Sequence, residues 1–436
     1  MRNRMLWIVG LAALFGATLY AQDIAGDWQG TLKAGAAELR IVLHIAKETD
    51  GVWKATLFSI DQGTEGMAAN SVTLQDSNLK LTVDAIRGTY EGKVSADGAS
   101  IEGTWTQGQP LPLELKRATK DTAWQRDPTT HTVQFISVDN NVKLEVLDWG
   151  GTGRPVVLLA GLGFTAHVFD GFAEKLTDSY HVYGITRRGY GVSTRPPSGY
   201  TEQRLAEDDL RVFDALKLVA PVVVGHSVAG NELSQLGIHH FDRIGGLVYL
   251  EALNDGTDDY ADYDALCSKL PEAMQNGPAP SPADLKSFPA YRDWRKRTQG
   301  ISIPESELRN DFTENRDGSV GSRTTPSWVP DAMMGAWKHD YSQIRSPVLA
   351  LVVYDTLDGP PQNQIQKYHV TNTTERTIVD AVYGLYIGMT RIRIERMKRA
   401  AGGAHVVELW GADHFVFLSN EADVLRELRG FLATLR

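Results

Sequence analysis

Val222 to Gly230 read VVVGHSVAG. Three β-branched residues run into a glycine, and a serine follows two positions later between small neighbours. A short, continuous apolar run that stops at glycine is the pattern of a strand buried on both faces. The residues beyond it, NELSQLGIHHF from Asn231, read as a helix. The stretch is therefore strand, tight turn, helix, with Ser227 in the turn. Such a serine can serve as a helix N-cap. It can also be a hydroxyl held in the open for chemistry.

The same strand form recurs on both sides. RPVVLLAG (154–161), YHVYGITRRGYG (180–191), IGGLVYLEA (244–252), SPVLALVVYD (346–355) and AHVVELWG (404–411) are apolar runs ending near glycine or an acid. Helix-like stretches separate them, among them VFDGFAEKLTDS and YTEQRLAEDDLRVFDALKL. Strands that alternate with helices predict an α/β fold, a mostly parallel sheet covered on both faces. HTVQFISV and VKLEVLDWG, from His131 onward, predict a hairpin at its edge. Residues 254 to about 345 carry no strand-like run and are expected to form a mostly helical cap over the sheet's C-terminal edge. A further helical stretch, TERTIVDAVYGLYIGMTRIRIERMKRA, precedes the last strand.

Ahead of residue 117 the pattern is different. Short alternating runs broken by Gly, Asp and Asn predict about eight strands in a small barrel or sandwich. GDWQGTL and GTWTQG are alike and are expected to pair near its closure. The polar segment KRATKDTAWQRDPTTHT marks the boundary. The chain thus divides into a small β-barrel-like domain over 22–118 and an α/β domain over 131–436. The first of these resembles the lipocalin-like β-domains found ahead of some secreted bacterial hydrolases, on its Gly-x-Trp pattern and strand spacing. A structural or domain-orienting role is expected for it, with glycan or ligand binding as the alternative.

The N-terminus, MRNRMLWIVGLAALFGATLYAQD, has two arginines before an apolar run and a small residue at Ala21. It reads as a secretory signal peptide over 1–21, cleaved before Gln22, with no stable membrane anchor afterwards. A retained anchor is the alternative. The expected location is secreted or periplasmic. The net charge is −10, so neither nucleic acid nor an anionic membrane is an expected partner. The single cysteine, Cys267, cannot form an internal disulfide, and stability must come from buried cores.

The turn at Ser227 resembles the nucleophile elbow of the α/β-hydrolases, Gly-x-Ser-x-Gly, which lifts a serine oxygen above the sheet edge. This chain departs from the pattern at Ala229 and has its glycine one residue later, at Gly230. The resemblance covers about residues 131–436 and extends to three other places. Gly161-Leu162-Gly163 matches the loop that feeds the family's oxyanion hole, although Ala160 stands where the family usually has histidine. The backbone N–H groups of Leu162 and Val228 would be the donors. TRRGYGVST (186–194) matches a segment that is structural in the family. His414, between the last strand and the last helix, stands where the family places its catalytic base. The neighbouring histidines His226, His239 and His240 are not expected to act.

The resemblance implies a Ser-His-acid triad with Ser227 as nucleophile and His414 as base. The acid has several candidates. Glu251 ends one strand, and Asp355 and Asp358 follow the next. Asp255 is a weaker choice. Glu251 is expected to matter more than Asp355. The implied activity is carboxylic-ester hydrolysis through an acyl-enzyme, on a small molecule with an apolar part. Carbon–carbon or amide hydrolysis on the same scaffold, or a non-catalytic binding protein that uses the β-domain, are the alternatives. No zinc-type motif is present, so neither metal nor cofactor is expected. Tyr260, Tyr263, Trp294, Trp328 and Trp337 are either a pocket lining or the packing of the cap.

Overall fold

The computed structural model describes residues 23–435 except 35–36, 61–65, 120–121, 125–130, 254–260, 316, 334–338, 354–364 and 366–367. The proposed signal segment, Asp255, Asp355, Asp358, Tyr260 and Trp337 lie outside the described residues.

Nine antiparallel strands come first: β1 Gly26–Ala34, β2 Ala37–Lys47, β3 Trp53–Ser59, β4 Met67–Ala68, β5 Ser71–Gln75, β6 Asn78–Val83, β7 Gly88–Val94, β8 Ser100–Gln107 and β9 Gln109–Arg117. They form one sheet in the order β4-β3-β2-β1-β9-β8-β7-β6-β5, a half-barrel. Alternation sends Trp28, Leu43, Leu57, Leu81, Tyr90, Ile101 and Trp105 into one apolar core. The two Gly-x-Trp strands are not direct partners, contrary to the expectation. β1 pairs with β9, and β8 lies one strand further out. The tight turn at Gly108, φ +87°, folds β9 back along β8 and places it between them. The likeness of the two segments reflects a shared inward tryptophan, not pairing.

A mixed eight-stranded sheet follows. Its strands are β10 Thr132–Asp139, β11 Val142–Gly150, β12 Pro155–Leu159, β13 His181–Thr186, β14 Val222–His226 and β15 Gly246–Leu250. After a two-stranded excursion, β16 Phe312–Glu314 and β17 Val320–Arg323, come β18 Val348–Val353 and β19 Ala404–Leu409. The order is β10-β11-β13-β12-β14-β15-β18-β19, antiparallel at the β10–β11–β13 edge and parallel beyond it. This is the α/β-hydrolase fold. Successive side chains face opposite ways on a strand, and each face has its own core. Val157, Leu159, Val223, Leu247 and Tyr249 pack with Leu210, Phe213 and Leu233 on one side. Val156, Leu158, Val222, Val224 and Leu250 pack with Phe169, Phe172, Phe417 and Leu428 on the other. Burying one such side chain contributes roughly 1.5–3 kcal/mol.

The segment expected as a cap is mainly helical, with helices Phe288–Gln299, Glu305–Asp311 and Trp328–Met333, but it also holds the β16–β17 hairpin. Its strands are short and polar, so they carry no alternation to read. The long helix Thr373–Met397 opens at Asn372, whose side chain accepts from the N–H groups of Thr374 and Glu375.

Candidate active site

β14 ends at His226, and the helix Ala229–His239 begins three residues later. Only a strained backbone makes that reversal. Ser227 has φ +53°, in the left-handed region that side chains other than glycine rarely adopt. Its N–H donates to the Leu250 carbonyl at 3.1 Å, and its own carbonyl accepts from Gly230 N–H at 3.0 Å. The departure from the Gly-x-Ser-x-Gly pattern has a spatial explanation. A Cβ on Gly230 would lie 1.8 Å from the Ala252 carbonyl oxygen. The close backbone crossing therefore falls at Gly230, while Ala229 packs its methyl against Gly225, where a Cβ would come within 2.9 Å of it.

Gly161 closes the other side of the turn. A Cβ there would meet His226 Nδ1 at 2.7 Å and Ser227 Cβ at 3.2 Å. Leu162, the next residue, packs with Val228, Tyr190, Tyr200, Leu205, Val329 and Met333 in an apolar cluster. The two expected oxyanion donors thus belong to residues that share one apolar patch beside Ser227. Trp328 stands edge-on to Tyr200 of that cluster, ring centres 5.6 Å apart. Trp294 instead stacks on Tyr291 within the cap, and Tyr263 lies near Tyr386. Trp328 thus adjoins the apolar patch beside Ser227.

The loop that follows Gly161 is held from two directions. Arg187, fully buried, donates to the Ala160 carbonyl at 2.5 Å and to both oxygens of Glu232 on the elbow helix. This is the structural part played by the TRRGYG segment. Ser193 of the same segment donates to Thr186 O and accepts from Glu145 N–H. From the cap, buried Glu307 accepts from Thr165 N–H at 3.0 Å and from its hydroxyl at 2.5 Å. Burial pushes the Glu307 carboxyl up to about 8. No motif pointed to Glu307, because a lone acid on a short helix has no signature.

His414 follows β19, beside the elbow. Its ring centre is 4.8 Å from that of His226, and its carbonyl accepts from His226 Nε2 at 2.9 Å. His226 is therefore a brace for the His414 loop, a role its place next to the serine does not announce. Burial and then the neighbouring His414 hold His226 well below the usual histidine range, so it stays neutral. Burial lowers His414 to about 4. Among the described residues, no carboxylate reaches its ring.

Glu251 sits at the end of β15 with φ +45°. One of its oxygens accepts from Val353 N–H at 2.5 Å and the other from the Tyr386 hydroxyl at 2.8 Å. Burial raises its carboxyl to about 7. Its partners are the end of β18 and the long helix, not His414. His239 is exposed and His240 half-buried.

One group of possible metal-ligand atoms occurs among the described residues: His131, His167 and Asp170. Asp170 is paired with His131 at 3.0 Å, lies near His167 and accepts from Trp149 Nε1 and the Ser306 hydroxyl. His167 also faces Glu145 at 3.3 Å. These groups form a buried ion-pair cluster that joins the start of β10, the turn after β12 and the cap.

Residues 156–427 match the alpha/beta hydrolase family. RutD of Caulobacter segnis, named as a candidate carbamate hydrolase, is 41% identical over 123 residues, which are 28% of this chain and 44% of RutD. The chain spans less than half the length of this and the next such relatives. A non-heme chloroperoxidase of Streptomyces lividans is 30% identical over 216 residues, 48% of this chain and 71% of the relative. Among solved structures, E-2-(acetamidomethylene)succinate hydrolase superposes with a TM-score of 0.50 at 17% identity, over 70% of this chain and all of that one. That likeness concerns the fold. The names differ in chemistry while the scaffold stays constant, and with the family match running from β12 into the last helix, the chain belongs to the alpha/beta hydrolase family.

Proposed function

We propose that this chain is a serine hydrolase of carboxylic esters. The observation that carries the reading is Ser227 in a left-handed turn between a buried strand and a helix, beside a Gly161 with no room for a side chain. In this reading the Ser227 oxygen attacks the ester carbonyl while His414 takes its proton. The N–H groups of Leu162 and Val228 meet the negative charge that develops on the carbonyl oxygen. The alcohol leaves with the proton from His414, and water activated by the same imidazole releases the acid. The cluster around Tyr190, Val329 and Met333 offers an apolar acyl or alcohol group a dry wall.

For the third member we favour Asp355 over Glu251. Both Glu251 oxygens already have partners, and one of those partners, Val353, stands two residues before Asp355. We also propose export, supported by the arginine-led apolar run before Gln22. N-terminal sequencing of the exported protein checks it, and a start at Gln22 is expected.

Hydrolysis of p-nitrophenyl esters from acetate to long acyl chains tests the main reading, with Ser227→Ala beside the parent. The expected result is turnover that the variant loses by about three orders of magnitude or more, with an unchanged melting temperature. A fluorophosphonate should label the parent at Ser227. Equal rates in parent and variant would overturn the assignment. Turnover of carbamates in preference to esters would move the substrate class toward that named for RutD.

A further inference from the structure

Phe164 stands two residues after Leu162, and Phe415 follows His414 directly. Far apart along the chain, their rings meet edge to face, with centres 5.0 Å apart and 74° between the planes. That is a favoured geometry for two aromatic rings. One ring belongs to the turn with the expected oxyanion donor, the other to the loop with the expected base. Phe164 N–H donates to the Gly161 carbonyl at 3.4 Å and closes the turn that carries Leu162. Phe415 N–H donates to the Asp413 carboxylate at 2.9 Å. Its carbonyl accepts from Leu418 N–H at 2.8 Å, in the short helix Val416–Ser419. The Phe415 ring centre lies 4.9 Å from that of His226 and 5.7 Å from that of His414. Phe415 therefore adjoins the imidazole, its brace and the ring of the opposite loop.

Both rings are half-buried and lie between two cores. On one side they pack against the sheet core that holds Phe169 and Phe417. On the other they pack against the cap core of Phe288, Tyr291, Ile301, Ile303, Leu308 and Val320. Leu308 follows Glu307, which accepts from the N–H and the hydroxyl of Thr165, and Thr165 follows Phe164. One turn of the cap helix Glu305–Asp311 thus supplies a polar hold on Thr165 and a member of the apolar core under which Phe164 packs. Close-packed interiors pass a change of volume on to their neighbours. A gap left by one ring is therefore felt by the other, and by the loop behind it.

We propose that Phe164 and Phe415 are positioning residues: held together under the cap, they set the His414 loop and the oxyanion turn in register. The catalytic consequence rests on the hydrolase reading. Acyl transfer needs the base at the serine oxygen and the N–H donors at the carbonyl oxygen at the same moment. The two groups sit on loops from opposite ends of the α/β domain, and this ring pair joins them through side chains. Loosening it moves them relative to each other, which weakens the transition state more than substrate binding.

The test compares the full chain with Phe164→Leu, Phe415→Leu and the double variant, each shown to be folded by its melting temperature. Phe312→Leu, which thins the cap core beside Tyr291, is the control. Amide hydrogen exchange read by mass spectrometry comes first. Phe415→Leu should speed exchange about tenfold or more in peptides covering 161–166, and Phe164→Leu should do the same in peptides covering 411–418, each across the gap. On p-nitrophenyl butyrate each single variant should lose about tenfold or more in kcat, with KM within about twofold of the parent. The double variant should lose no more than the worse single one, because the rings act as a pair. Phe312→Leu should keep the parent's kcat. Faster exchange confined to the altered loop, kcat unchanged in the single variants, additive losses, or an equal loss in Phe312→Leu each overturn the proposal. Exchange needs no turnover, so coupled loops in a chain that hydrolyses no ester overturn only the hydrolase reading.

Discussion

A base works only while it is unprotonated, and His414, the proposed base, is half-buried beside the elbow. Burial lowers its pKa to about 4. A carboxylate beside the imidazole favours the charged form and raises that value. In the proposed triad Asp355 would therefore favour the imidazolium and raise the acid limb of kcat/KM. Asp355→Asn should lower the limb relative to the parent and reduce kcat by at least about a hundredfold, because the imidazole loses its orienting partner. Glu251→Gln should leave the limb where it is, since the Glu251 oxygens face Val353 and Tyr386. pH–rate profiles of the three proteins decide this. The reverse pattern would return the acid to Glu251.

At the scale of elements, the elbow depends on how closely a helix can cross a strand end. Gly230→Ala would drive a methyl into the Ala252 carbonyl, a backbone atom that cannot step aside. A cost of about 2–3 kcal/mol is expected, against about 1 kcal/mol for Ala229→Gly in the same helix. Urea unfolding of both variants measures the difference. Equal costs would mean the crossing is not fixed at Gly230. This elbow also marks how far sequence could be read. VVVGHS announced strand and turn because apolar runs and glycines are local signals, and the order of serine and histidine along the chain marked the two ends of the candidate site. Partners supplied by tertiary contact were not legible. Nothing near His226 says that it braces His414, and nothing near Glu307 says that it holds Thr165. The β16–β17 hairpin was missed for a similar reason: Phe312–Glu314 is too short to show a period.

Across the whole molecule, buried titratable groups tie stability to pH, and their signs differ. His226 and His414 have lowered values, so they favour the folded state as pH rises toward 6.5. Glu251 and Glu307, raised to about 7 and about 8, act the other way. The folded chain keeps protons on them that the unfolded chain has released, so stability falls as pH climbs toward those values. Asp209, raised by burial and by Glu232, and His167, held charged by Glu145 and Asp170 against its burial, have the same sign. Below pH 6.5 the two sets oppose each other. Between pH 6.5 and 8 the second set acts alone, each group contributing at most about 1.4 kcal/mol per pH unit. The urea midpoint of the parent should therefore fall across that window. Glu307→Gln, which carries no titrating proton, should show a shallower fall there even though its absolute stability is lower for want of one acceptor to Thr165. A parent midpoint that rises from pH 6.5 to 8, or a variant with the same slope, would mean that Glu307 is ionised in the folded chain at neutral pH and that the cap is tied to the Thr165 loop through a charged carboxylate.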